Sequence, residues 1–280
     1  MSSAQSFDGS ESKHWDHPCW DGYREMIRRL EGPAIPGPGQ LNALLPRGTQ
    51  SGGGAPLRFV PSQSIPGVQY ERHIFATGAV STRGDNWHDL FNALVWCRLP
   101  RLKAAMNALH HRDLDQQSDG ARGPRRDALT LLDESGALVA SCNRDLLHAL
   151  ARRDWDLAFV GLRAAWRTDT RVVICGHALL EKFLEPYKSI TAHALLLQVD
   201  APPSRFAAED FPGWLDAAVA ERLLAGGCAS PADLSPLPLA GIPGWWRETG
   251  QDAGFYADRS VFRPPPAGFR PAPSHRLKKL

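Results

Sequence analysis

The stretch that most restricts the fold of this chain is NWHDLFNALVWCRLPRLKAAMNALHH, residues 86–111. At helical spacing, Trp87, Leu90, Phe91, Leu94 and Val95 cover most of one helix's girth, leaving a narrow polar wedge of His88, Asp89 and Asn92. Asn86 is placed to cap that helix, and Pro100 suits the first turn of a second one after a break at Arg98-Leu99. In the second helix Leu102, Met106 and Leu109 form the apolar side, while Lys103, Asn107 and His110 stack at i, i+4, i+7. A helix apolar around most of its girth is buried, and each buried polar group left without a partner costs about 1–3 kcal/mol. The pattern therefore predicts two linked helices whose polar seams face a common cleft. A purely structural reading stands beside it, with Asp89 serving the helix N-terminus, His88 a backbone carbonyl and Lys103 the solvent.

Two further constellations add candidates. In CGHALLEK a strand ends at Cys175, Gly176 follows, and His177 opens a helix with Glu181 one turn on. His-x-x-x-Glu on one helical face can bring an imidazole and a carboxylate to one metal or one water. Cys175, close to a helix N-terminus, is a nucleophile candidate if its pKa is depressed, or simply a buried thiol. His193 joins the set if its side chain faces the same way. The connector HHRDLDQQSDGARGPRRDALTLLDESG carries Arg122, Arg125 and Arg126 before Asp127. From Arg98 to Arg126 seven Lys/Arg face three Asp, an excess that suits an anionic ligand, a nucleic-acid backbone or a solvated loop. Asp133 and Glu134 are assigned to a hairpin turn.

Along the chain, PCWDGYREMIRRL has helical spacing through Trp20, Tyr23, Ile27 and Leu30, and RGTQSGGGAP is a flexible loop by composition. These make residues 1–55 a helical lead-in with a loop. Residues 56–260 form the main α+β domain, and 261–280 a Pro-rich basic tail, extended and unpacked. Within the main part YERHIFATGAV is expected as a strand and ALTLLDESGALVASC as a hairpin. NRDLLHALARRDWDLAFVGL is expected as a helix, TRVVICG and ITAHALLLQV as strands, and FPGWLDAAVAERLLAGG as a helix. The fold class is a single α+β domain, a mixed or antiparallel sheet with helices packed on it.

Bulk properties narrow the function classes. The 280 residues are 43% apolar and 22% charged, and the formal net charge of +2 does not argue for a nucleic-acid partner by itself. Five cysteines, odd in number and without a Cys-x-x-Cys pair, form neither a disulfide framework nor a zinc ribbon, and fit a reducing compartment. MSSAQSFDGSESK has no basic segment followed by an apolar one, and no apolar run reaches membrane-spanning length, so a cytoplasmic protein without a membrane partner is expected. No P-loop, Gly-x-Gly-x-x-Gly, His-Glu-x-x-His or Gly-x-Ser-x-Gly motif occurs.

The runs STRGDNWHDLFNALVWCRLPRLKAAMNALHHRD, GPRRDALTLLDESGALVAS and GHALLEKFLEPYKSITAHALL resemble the bacterial domain-of-unknown-function 3025 family, over residues 56–260. That resemblance implies a single bacterial domain and lends no catalytic residue.

The expected function is a hydrolase, with or without a divalent metal, or a binder of a small anionic ligand. The catalytic set is His88, Asp89, Asn92, Lys103, Asn107, His110, Asp127, His177 and Glu181, and the ligand-binding set Arg83, Arg122, Arg125 and Arg126. If a metal sits there, His88, Asp89, His110 and Glu181 are the expected ligands. The alternative is a non-catalytic protein that binds nucleic acid or acts as a structural or interaction partner.

Overall fold

The computed structural model describes residues 15–30, 32, 34–62, 67–116, 123–206 and 210–277. The expectations for residues 1–14, for Arg122 and for the last three residues lie outside these. After a 3-10 turn at Pro18–Trp20, helix α1 (Arg24–Leu30) and helix α2 (Pro38–Asn42) lead to strand β1 (Arg58–Pro61), helix α3 (Gly67–Thr77) and strand β2 (Ala79–Thr82). Helices α4 (Trp87–Arg98), α5 (Pro100–Gln116) and α6 (Pro124–Ser135) follow. Strand β3 (Gly136–Ser141), helices α7 (Arg144–Arg152) and α8 (Ala165–Thr168), and strand β4 (Thr170–Ile174) come next. Helix α9 (His177–Lys182), strand β5 (Thr191–Gln198), helix α10 (Asp210–Leu224), strand β6 (Ser235–Pro238), helix α11 (Ala253–Tyr256) and strand β7 (Ser274–Arg276) complete the order.

The main sheet is mixed. β3 is central, antiparallel to β4 and parallel to β5, whose far edge takes β6 antiparallel along Thr191–Ala194 and β7 parallel along Leu196–Gln198. Every residue of β3 is buried, as is the LLL run of β5, because helices cover both faces of a continuous apolar strand. β1 and β2 form a separate parallel pair bridged by α3. The fold is a single α+β domain with a mixed sheet, as the sequence predicts.

Several local expectations give way. YERHIFATGAV is the end of α3, then Gly78, then β2: Gly78 takes φ +66, which stops the helix and leaves only Ala79–Thr82 extended. The expected hairpin is instead α6 running directly into β3. Pro124 opens that helix, and Ala128, Leu129 and Leu132 bury at helical spacing. The stretch after Asn143 is not one helix; α7 stops where Arg153 turns left-handed (φ 57), and a π-helical turn covers Asp156–Gly161. The lead-in is not peripheral, since Trp20, Tyr23, Ile27 and Leu41 sit in the core and the Tyr23 hydroxyl donates to the Ile174 carbonyl at 2.5 Å. The glycine-rich loop is folded against α5: the Gly52 amide donates to Asn107 at 3.1 Å. The tail is likewise ordered where described, because β7 extends the sheet and Leu277 is buried. Among the described residues no helix is long and apolar enough to cross a membrane.

One junction sets the geometry of the cleft. The Gly136 carbonyl accepts from the amides of both Cys175 and Gly176, so the start of β3 and the start of α9 lie side by side. A Cβ on Gly176 would stand 2.3 Å from the Gly136 amide nitrogen, and such an approach requires glycine. The last turn of α6, which precedes Gly136, is thereby held beside the first turn of α9, which follows Gly176.

Candidate metal centre

Helices α3, α4, α5, α6 and α9 enclose a cleft of about 570 Å³. α4 supplies His88 from the wedge left between its apolar positions, with Asn86 capping its N-terminus through the Asp89 amide at 2.9 Å. α9 supplies His177 at its first position, and the glycine junction brings Asp133 and Glu134 of α6 to the same place.

The two imidazoles meet head to head. His88 Nε2 and His177 Nε2 are 2.9 Å apart, with the rings edge to face. On the far side of each ring stands a carboxylate. Glu181 Oε2 is 3.0 Å from His88 Nδ1, and Asp133 Oδ2 is 3.8 Å from His177 Nδ1. Glu134 Oε2 lies 3.6 Å from His177 Nε2, and donor atoms of His88, Glu134 and His177 all fall within 4.8 Å of one another. The carboxylate beside His88 fixes a proton on its Nδ1 and leaves its Nε2 with a lone pair. His177 then has two neutral choices. A proton on Nε2 satisfies His88 but turns the Nδ1 lone pair toward Asp133. A proton on Nδ1 suits Asp133 but sets two lone pairs against each other. A cation shared by the two Nε2 atoms and Glu134 removes either conflict.

The electrostatics fit that reading. Burial pulls the His177 pKa below its ordinary value, with Asp133 opposing and Lys103 adding to the fall, which keeps the ring neutral as a metal ligand must be. Burial alone would push Asp133 up. The Lys103 ammonium, through its charge and its hydrogen bond, outweighs that and holds the carboxyl below the usual range. Lys103 Nζ is itself fixed between Asp133 Oδ1 at 2.5 Å and Asn92 Oδ1 at 2.9 Å. With neutral imidazoles the cleft lining carries four carboxylates (Glu71, Asp89, Asp133, Glu134) against the cations Arg83, Lys103 and Arg126. Its net negative charge suits a cation before an anion.

Of the residues singled out from the sequence, Arg83, His88, Asp89, Asn92, Lys103, Asn107, His110, Arg126 and His177 line this cleft, and Glu181 reaches it through His88. Their surroundings differ from expectation in several cases. Asp89 is not placed with the imidazole pair, because its carboxylate takes the Arg83 amide at 2.6 Å and the Arg83 guanidinium at 2.9 and 3.0 Å, closing the β2–α4 turn. Asn107 bridges Gly52 to Glu71, whose Oε2 accepts at 2.7 Å. Lys103 is committed to Asp133 rather than to an anionic ligand. His110 lines the cleft two turns along α5 from Lys103 and is not grouped with His88 and His177. Burial lowers its pKa, against the pull of Glu71 and Asp133.

Other candidates lie elsewhere. Asp127 does not line the cleft. Arg125 forks onto the buried Asp113 carboxylate of α5, its Nε at 2.8 Å. The basic run thus has Lys103 and Arg125 paired internally and Arg126 directed to the cleft, which leaves no continuous cationic face among them. Cys175 is fully buried, and burial pushes its thiol well up rather than down, which removes it as a nucleophile. His193, on β5 opposite Gly136, is not part of the lining.

Sequence reasoning missed Glu134 and Asp133 by assigning them to a turn. The signal for them was the helical spacing of Ala128, Leu129 and Leu132, which places both acids in the last turn of α6. A family model described as "Protein of unknown function (DUF3025)" matches residues 57–265, and the chain belongs to that family. No curated protein and no solved structure matches it.

Proposed function

We propose that this member of the DUF3025 family is a metal-dependent hydrolase whose ion is held by His88 Nε2, His177 Nε2 and the Glu134 carboxylate. The observation that carries this reading is the head-to-head imidazole pair with a carboxylate behind each ring. Two ligand atoms about 2.1 Å from a tetrahedral zinc stand roughly 3.4 Å apart. The spacings of 2.9 and 3.6 Å bracket that value, so small side-chain movements seat an ion. Glu181 behind His88 is the partner that a ligating histidine ordinarily has, fixing its tautomer and orientation.

Three protein ligands in a cleft open to solvent favour catalysis over a structural role. The side chains of His88 and Glu134 keep 35% and 43% of their surface exposed, while His177 keeps 6%. A fourth position is then left for water, and an ion there brings the pKa of that water to about 7. In a hydrolytic step the water oxygen would bond to the electrophilic atom of the substrate, and the bond from that atom to the leaving group would break with its electron pair. One water proton goes to the leaving group and the other to solvent. The ion also reverses the charge of the cleft lining, from one net negative to one net positive, so that an anionic or strongly polarised substrate is attracted only to the loaded protein.

The test is elemental analysis of the purified protein, followed by zinc and manganese titration of chelator-treated material. Near one equivalent of bound ion is expected, lost in His88→Ala and His177→Ala and weakened in Glu134→Gln. A wild-type protein that binds neither ion more tightly than His177→Ala does rules the reading out.

A further inference from the structure

Asn92 is one helical turn beyond His88 on the same face of α4, so its side chain stands beside that histidine in the cleft wall. The orientation of its amide is fixed. Lys103 Nζ, which can only donate, sits 2.9 Å from Asn92 Oδ1, so the oxygen is turned toward α5 and the NH2 group away from it. On that other side the amide donates to the phenol oxygen of Tyr70, which reaches the cleft from α3. Burial, and after it the charge of Glu71, pushes the Tyr70 pKa well up, so the hydroxyl keeps its proton and stays a donor. Among the described residues neither that O–H nor the second N–H of Asn92 meets an acceptor. The cations of the lining are placed differently. Lys103 is bound to Asp133 and Asn92 and lies over the Trp96 ring, 5.5 Å from its centroid. Arg83 is held by Asp89, and Arg126 precedes Asp133 on α6 by about 10 Å of helix.

From this arrangement we infer that the Tyr70 hydroxyl and the Asn92 amide form an oxyanion site beside the ion, and that the substrate is a carboxylic ester or amide. Two neutral donors suit a single oxygen that gains one negative charge in the transition state, as an acyl carbonyl oxygen does. A phosphoryl group carries charge on its other oxygens throughout and calls for cations at the reacting atom. When the water oxygen bonds to the acyl carbon, the carbonyl electron pair moves onto the carbonyl oxygen. Tyr70 and Asn92 donate hydrogen bonds to it there and keep their protons. The pair returns to the carbon as the bond to the leaving group breaks. The leaving group departs with the electrons of that bond and takes one proton of the attacking water, and the other goes to solvent. This inference rests on the metal-hydrolase reading, and the experiment separates the two.

The full chain, loaded with zinc, is assayed with p-nitrophenyl acetate and with bis(p-nitrophenyl) phosphate, each rate being compared with that of the zinc-free protein. Zinc should accelerate hydrolysis of the ester and leave the phosphate diester untouched. Tyr70→Phe removes a single oxygen atom and should lower kcat for the ester about 100-fold, the usual cost of losing one oxyanion donor. KM and zinc affinity should stay within about twofold of wild type, since the lost bond exists only in the transition state. Zinc acceleration of the diester as large as that of the ester, or of neither compound, overturns the acyl substrate. An ester rate in Tyr70→Phe within about threefold of wild type overturns the oxyanion site, because a lost donor costs far more. The metal centre stands in each of these cases. Failure of the wild-type protein to hold zinc overturns both. The comparison of ester with diester needs no variant to fold.

Discussion

Removing the carboxylate behind His88 is the most discriminating single change. Glu181 Oε2 stands 3.0 Å from His88 Nδ1 and contributes little else, its side chain being 42% exposed. In Glu181→Ala the His88 ring loses the partner that fixes its proton on Nδ1, and its Nε2 becomes a weaker and less oriented donor. Loss of such a partner weakens metal binding by about 10–100-fold, which corresponds to about 1.4–2.8 kcal/mol of binding free energy. Glu181→Gln keeps an acceptor oxygen but loses the charge, so its loss should be the smaller of the two. Because the side chain is so open to solvent, the metal-free protein should keep its stability to within about 0.5 kcal/mol. The assays are a zinc competition titration against a chromophoric chelator at neutral pH and urea unfolding of the metal-free variants. Unchanged zinc affinity in Glu181→Ala, with an intact fold, refutes the claim that His88 ligates through Nε2.

Other outcomes follow from the same geometry. Lys103→Met strands the Asp133 carboxylate in the cleft wall and should cost about 3 kcal/mol in urea unfolding, most of it recovered in the Lys103→Met/Asp133→Asn double variant. Gly52→Ala places a Cβ 2.4 Å from the Ala108 amide nitrogen and 2.6 Å from the Ala104 carbonyl; the loop must lift off α5 and lose its bond to Asn107, for about 2 kcal/mol by the same measurement. In the metal-free protein, burial holds His17, His193 and His275 below 6.5, so the unfolded chain takes up protons first and stability should decline as pH falls below 6.5. Asp216 opposes this decline. Burial raises its pKa from 3.8 to about 6, against the pull of the Leu102 and Arg101 amides that it accepts, so the folded state gains protons first between pH 6 and 3.8. Asp216→Asn should therefore steepen the acid loss in that window, and unfolding free energies measured across it decide the point.

The legible part of this protein was the part in which one element settles its own contents. The α4–α5 pair could be read from its letters because a helix with five apolar positions around its girth has a single narrow wedge left, and His88 and Asn92 must fall in it. The same holds for Asn86 and Asn143 as caps and for β4 and β5 as buried strands. Reading failed where two structures compete for one short stretch. DESG after ALTLL satisfies a turn as well as a helix end, and the decision came from α6 burying Ala128, Leu129 and Leu132 against the sheet. The cost of that misreading was Glu134, whose place beside His177 nothing local marks.

Spacing along the chain thus determined which side chains are hydrophilic residues on otherwise apolar helices, because helical periodicity is a local property of consecutive residues. It did not determine which of them meet. His88 and His177 are 89 positions apart, and their encounter depends on α6 turning into β3 where Gly136 and Gly176 let two backbones touch. Only the packed structure shows that Asp89 is taken by Arg83, that Lys103 is taken by Asp133, and that Glu181 stands behind His88. Each of those outcomes is a choice among partners from different elements, made by distance and burial after the helices have docked.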